Sequence, residues 1–148
     1  MITGANLTQG KRADILVVDD DLHIRETLLL GLRKLGYGAE AAEDGLQALH
    51  HLQHGRFDVV LTDLQMPRLD GLALLREIQR RGYTQAVIFQ TTLMDPSLEV
   101  ILRHAGATGV LMKGGPFTDL VRSVEEAYRV SQGSHTHSAQ GLGPGHMG

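Results

Sequence analysis

The chain has 148 residues, 42% hydrophobic and 21% charged, with a formal net charge of -3. That length suits a single domain with a substantial core, and the charge excludes any broad attraction to nucleic acid or anionic membrane. Cysteine is absent, which excludes disulfides, thiolate metal sites and thiol catalysis and fits a reducing cytoplasm.

Residues 1–12 form a polar leader without the apolar stretch of a signal peptide, and no apolar run reaches the length of a membrane span. A cytoplasmic protein is expected. The first strand, Asp14 to Val18, leads to a helix over about Leu22–Leu35, whose Leu22, Leu28, Leu29, Leu32 and Leu35 suit one packed face, with Gly36 as its stop. A weak second strand lies near Ala39–Ala42. Asp44 then caps a helix carrying Leu46, Leu49 and Leu52, which Gly55 closes. A third strand runs from Phe57 to Asp63, and a loop over Leu64–Gly71 opens the helix Leu72–Arg81. A fourth strand at Ala86–Thr91, a helix from Pro96, a fifth strand at Gly109–Met112 and a last helix over Pro116–Val130 follow, with both prolines suited to a first helical turn. Five βα units predict an α/β fold, a doubly wound five-stranded parallel sheet with flanking helices over 13–131. Residues 132–148, rich in Gly and His and nearly free of apolar residues, read as a disordered tail.

The strands are short, β-branched and buried in character, and parallel sheets of this kind bind ligands outside their carboxyl ends. Four of them end in residues that phosphoryl chemistry uses: Asp19 and Asp20, Asp63, Thr91 and Lys113. Each has a plainer reading alone, as a turn, a cap, a strand residue or a surface lysine. Asp21 fits such a role as N-cap of the first helix. Together, however, paired carboxylates suit Mg2+, which takes oxygen ligands and bridges to phosphate. In Asp63-Leu64-Gln65-Met66-Pro67-Arg68-Leu69-Asp70-Gly71, the Pro and the Asp-Gly pair fix a turn that leaves Asp63 at the strand tip and frees the Gln65 carbonyl for a metal. A carboxylate there can attack phosphorus and carry an acyl phosphate, with the Thr91 hydroxyl and Lys113 ammonium beside its oxygens.

These residues resemble the receiver domain of two-component response regulators, the CheY-like superfamily with its (βα)5 flavodoxin-like fold. The resemblance covers about Ala13 to Val130. It rests on the Asp19-Asp20 pair, the Asp-x-x-Met-Pro-x-Leu-Asp-Gly run, Thr91 and the Lys that follows Gly106-Ala107-Thr108-Gly109. It implies that Asp63 accepts phosphate from a sensor histidine kinase or phosphotransfer protein. Asp20, Asp63 and the Gln65 carbonyl would bind Mg2+ directly, Asp19 through water, while Thr91 and Lys113 grip the phosphoryl oxygens. Such a protein catalyses its own phosphorylation and dephosphorylation rather than turning over a separate substrate. Its output would pass to a protein partner through the face of helix 4, strand 5 and helix 5, with a homodimer also open to it.

Three positions depart from the family pattern. Gly114 and Gly115 precede Pro116 where Pro commonly follows the Lys, which loosens that loop. Thr92 replaces a small Ala and narrows access to the phosphate, and Val110 stands where a switch aromatic is common. Two rivals follow: a pseudo-receiver that binds partners without phosphorylation, and an aspartyl-nucleophile phosphohydrolase. The second needs an acid two residues after the nucleophile, and that position is Gln65. His50, His51 and His54 lie off the leucine face of their helix and read as solvated surface. His135, His137 and His146 in the tail could chelate adventitious metal. With no DNA-binding segment after Val130, action through protein contacts is expected, from a stand-alone receiver or part of a longer protein.

Overall fold

The computed structural model describes residues 12–93 and 95–141, and side chains as far as Gly133. Strands β1 (Asp14–Val18), β2 (Gly38–Ala42), β3 (Val59–Asp63), β4 (Ala86–Thr91) and β5 (Gly109–Met112) alternate with helices α1 (Leu22–Lys34), α2 (Gly45–His54), α3 (Gly71–Arg80), α4 (Pro96–Ala105) and α5 (Phe117–Gly141). All strand pairs are parallel, in the order β2-β1-β3-β4-β5. This is the doubly wound arrangement that the alternating pattern predicts.

The period of two along each strand divides the core. Leu16, Val18, Val60, Val87 and Phe89 face α2, α3 and α4, where they meet Leu49, Leu52, Leu74, Ile78 and Leu102. Ile15, Val17, Val59, Leu61 and Ile88 face the other way, onto Leu28 and Leu32 of α1 and Leu120, Val124 and Ala127 of α5. Burial on both faces explains why the strands carry continuous apolar runs rather than alternation. Helix starts follow from local chemistry: Asp21, Asp44, Asp70 and Asp95 each accept a backbone N–H of the following first turn.

Three leucines expected on packed faces are exposed: Leu22 at 52%, Leu35 at 44% and Leu46 at 52%. Leu22 and Leu35 sit at the two ends of α1, as its first residue and its C-cap. On α2 the buried stripe is Gly45, Ala48, Leu49 and Leu52, an i, i+3, i+4, i+7 series from which Leu46 is displaced by one position.

The last helix also differs, continuing to Gly141 where an end at Val130 is expected. Ser131 is only 4% exposed, so the buried stripe of Val124 and Ala127 gains one more member, a small polar residue that hydropathy does not register. No proline interrupts residues 131–141, so the helix nucleated on the packed face continues through them. Residues 1–11, Met94 and 142–148 lie outside the described residues, and with them His146, most of the expected leader and the end of the expected tail. Among the described residues no helix is long and apolar enough to cross a membrane.

Tyr37, 5% exposed at the turn into β2, ties this face to α5. Its hydroxyl donates to Glu125 Oε2, and Arg12 Nη1 donates to both the Tyr37 oxygen at 3.2 Å and Glu125 at 3.0 Å. Burial and the Glu125 carboxylate push the phenol up to about 12 from its ordinary 10.0. A folded-state value above the unfolded one means that this stabilisation is complete below pH 10 and is lost as pH rises through about 12. An ultraviolet phenolate titration of the folded protein should therefore show a late step near pH 12 that Tyr37→Phe removes. Its persistence in the variant would refute the assignment.

Candidate functional site

Parallel register places the functional residues before any side chain is considered. Val18 pairs with Thr62, Asp63 with Gln90, and Thr91 with Met112. Asp19, Asp63, Thr91 and Lys113 therefore emerge along one edge, at the carboxyl ends of β1, β3, β4 and β5. The order reverses between β1 and β3, so Asp19 and Asp63 flank the switch point where such sheets bind ligands.

Asp19, Asp20 and Asp63 converge, with one carboxylate oxygen from each within 4.8 Å of the others. Asp19 is 1% and Asp63 7% exposed, whereas Asp20 faces solvent. Lys113 reaches them from the end of β5. Its Nζ donates to Asp63 Oδ2 at 2.8 Å and lies 2.9 Å from Asp19 Oδ2. The second contact is an ion pair without hydrogen-bond alignment, so Asp19 Oδ2 is buried with no hydrogen bond. The other oxygen, Oδ1, accepts the Asp21 N–H at 2.9 Å.

Burial raises the Asp19 carboxyl, and the neighbouring Asp63 charge adds to this against the Asp21 N–H bond and the Lys113 charge. Burial also pulls the Lys113 ammonium down. Its hydrogen bond to Asp63 and its ion pair with Asp19 outweigh that, and the group ends above its usual value, a firm cation. An excess of carboxylate over cation, with one buried oxygen lacking a hydrogen bond, is a set that a hard, oxygen-seeking divalent ion such as Mg2+ completes.

The loop after Asp63 is drawn tightly around it. Gln65 N–H donates to Asp63 Oδ1 at 3.3 Å, and Gly71 N–H closes the loop onto the Leu64 carbonyl at 2.9 Å. At Gly71 a Cβ would stand 2.4 Å from the Asp63 carbonyl oxygen and 2.9 Å from the Phe89 ring. Only glycine admits this approach, which explains the Asp-Gly pair in physical terms.

The structure thus brings Asp19, Asp20, Asp63 and Lys113 together and ties Gln65 to Asp63 through its N–H. Thr91 shares the edge, but its hydroxyl turns into its own loop, where Oγ1 accepts the Leu93 N–H at 3.1 Å. Gly114 adopts a left-handed φ of 80°, so the double-glycine loop uses the freedom expected of it. Thr92 is exposed, and Val110 is packed in the core at 7% exposure. His51 approaches Glu40 at 3.5 Å, and the exposed His50 and His54 rings meet tilted at 45° with centroids 4.4 Å apart; none of the three belongs to the carboxylate group of this edge.

Sequence reasoning misses two supports. Arg25 Nη1 donates to the Asp19 carbonyl at 2.8 Å, bracing the turn that carries the acidic pair. Arg68 reaches Asp44, the N-cap of α2. Neither pair has a spacing that a linear reading singles out.

Comparison with known proteins agrees with this geometry. The family model described as the response regulator receiver domain matches residues 15–125. The chain is 36% identical over 115 residues to the response regulator MprA of Mycobacterium sp. strain KMS, covering 78% of this chain and 50% of that protein. It is 36% identical over 125 residues to the transcriptional regulatory protein ZraR of Escherichia coli K12, covering 84% of this chain and 27% of ZraR. The chain thus spans about half of MprA and a smaller part of ZraR. Among solved structures, the receiver domain of Francisella response regulator 1452 superposes with a TM-score of 0.77 at 26% identity, covering 81% of this chain and 99% of that one. The chemotaxis response regulator CheY4 of Vibrio cholerae gives 0.74 at 29%, covering 79% and 99%. By fold, by sequence and by the composition of its sheet edge, the chain belongs to the response regulator receiver domain family.

Proposed function

We propose that Asp63 is the phosphoacceptor of a phosphorylation switch, taking its phosphoryl group from a sensor histidine kinase or a phosphotransfer protein with Mg2+ as cofactor. The observation that carries this reading is the convergence of three carboxylates within 4.8 Å, with Lys113 bound across Asp19 and Asp63.

Asp20, Asp63 and the Gln65 carbonyl would hold the ion directly, and Asp19 through water. Mg2+, when bound, supplies neutralisation of the charge gathered on the phosphoryl oxygens during transfer. The remaining work belongs to the chain. Asp63 presents a carboxylate oxygen to phosphorus, forming the new O–P bond as the bond to the donor nitrogen breaks. Lys113, a firm cation next to that carboxylate, pairs with a phosphoryl oxygen. Thr91 leaves its Leu93 partner and donates its hydroxyl to another, drawing the loop after β4 toward the site. Leu93, Val100, Ile101 and Met112, exposed at 65%, 59%, 57% and 46%, lie on that loop and on the α4 and β5 surface through which an output protein or a second copy would be engaged. Beside Lys113, a cavity of about 420 Å³ between α1 and the 113–116 loop, walled by Ile24, Leu28 and Phe117, offers the donor an apolar seat. We place this activity in the cytoplasm.

The rival readings gain no support. Gln65 cannot act as the second acid of a phosphohydrolase, and a module without phosphorylation would have no use for the full acidic set.

Acetyl phosphate should label the protein only when Mg2+ is present, and Asp63→Asn should abolish the label. Hydroxylamine-labile phosphate persisting on that variant would remove Asp63 as acceptor. Asp19→Asn should weaken Mg2+ binding by about 10–100-fold, the usual effect of losing a group that acts on a metal through its outer shell. Titration calorimetry measures it.

Thr91→Ala separates chemistry from signalling. The variant should still accept phosphate but lose most of the phosphorylation-linked change in amide exchange across 92–113, since the hydroxyl couples the two. Equal changes in variant and parent would remove Thr91 from the switch.

A further inference from the structure

Arg68 stands out in the loop that follows the acceptor. Among the described residues it is the one non-glycine position with a positive φ, 67°, a backbone that is uncommon outside Gly, Asn and Asp. Its guanidinium Nη2 donates to Asp44 Oδ2. Asp44 is wholly buried at 0% exposure, and its other oxygen caps α2 by accepting the Gln47 N–H at 2.9 Å. The same joint is closed sterically. A Cβ on Gly45 would stand 2.3 Å from the Leu69 carbonyl oxygen and 2.7 Å from Leu69 Cβ, so the loop backbone lies directly on the first residue of α2.

An ion pair with an exposed arginine is ordinarily worth little, and the Arg68 side chain is 58% exposed. This pair differs in its other partner. A buried carboxylate stripped of its cation is strongly penalised, and a left-handed backbone persists at a non-glycine residue only when its surroundings hold it there. The loop is thereby fixed at two points, at Asp63 through the Gln65 N–H and at α2 through Arg68 and Leu69.

We infer that Arg68 is a positioning residue: by pairing with Asp44 it clamps the loop between β3 and α3 to the head of α2 and holds Gln65 in the place from which its carbonyl serves the metal. The inference rests on the metal-binding reading given above. It adds a determinant of metal affinity on the far side of the loop from the chemistry.

The test is Mg2+ titration calorimetry on the full chain carrying Arg68→Gly, which accepts the left-handed backbone without strain, removes the clamp and adds backbone freedom, with Arg68→Asn, which tolerates the same backbone with less freedom, beside it. Urea unfolding is measured in parallel. The Mg2+ dissociation constant should rise about tenfold, as for loss of an outer-shell support, and Arg68→Lys, which restores the charge, should recover part of it. If Arg68→Gly fails to fold, Asp44→Asn with Arg68→Gly removes the unpaired buried charge and should show the same rise. A variant that unfolds more easily yet binds Mg2+ as tightly as the parent would overturn the clamp. A parent that binds no Mg2+ would overturn the proposed function and this inference with it.

Discussion

Charge balance at one sheet edge governs this domain. Parallel pairing of β1 with β3 forces Asp19 and Asp63 to be neighbours, and Lys113 is the cation that the strand order delivers to both. Two buried carboxylates and one ammonium leave the site acidic even before Asp20 is counted. Burial raises the Asp19 carboxyl, and the neighbouring Asp63 charge adds a smaller part. A site so charged favours a divalent ion and, through it, an anionic ligand. Arginines brace the loops around the site, Arg25 at the Asp19 carbonyl and Arg68 at the Asp44 carboxylate.

What could be read from the sequence was what depends on local pattern. Short apolar runs mark most of the strands, because buried parallel strands need them, and their ends bring Asp19, Asp63, Thr91 and Lys113 to one edge, where the resemblance to receiver domains assigns their roles. Helix starts at Asp21 and Asp44 were equally legible, since a cap acts on its own first turn. Features that depend on three-dimensional neighbours were not. Leu46 looks like a core leucine until the buried stripe is seen to run one position to its side, and Ser131 looks like the start of a tail although it lies on the buried side of α5. The partner of Asp44 is 24 residues away in the chain, and nothing at either position announces the other.

The departures from the family pattern acquire different weights in the structure. Gly114 takes a left-handed conformation in the loop after β5, yet Lys113 still spans both carboxylates, so the double-glycine loop does not prevent its aim. Val110 belongs to the core, and its burial leaves it no freedom to report a change at the site by rotating to the surface. The proposed switch is therefore assigned to the loop after β4 and to Lys113, with no rotation at Val110. Thr91 and Leu93 are the residues of that loop already in hydrogen-bond contact.

The magnitude of that contact limits what the hydroxyl can do by itself. A neutral hydrogen bond contributes about 1 kcal/mol net and one to a charged group about 1.5–3 kcal/mol, so trading Leu93 for a phosphoryl oxygen gains about 0.5–2 kcal/mol. Moving a two-state equilibrium from about 1:99 to 99:1 takes about 5.5 kcal/mol. The exchange of one hydroxyl bond biases the loop by roughly tenfold and does not lock it. Two other sources are available on this chain. Lys113 can turn from Asp19 toward a phosphoryl oxygen, moving the end of β5 with it, and the exposed Leu93, Val100, Ile101 and Met112 can be buried by a partner that prefers the shifted loop. Covering such side chains is worth about 1.5–3 kcal/mol each when complete, enough to supply the difference. In the proposed switch, phosphorylation therefore sets the bias and the partner completes the transition, so the active arrangement is populated fully only in the complex.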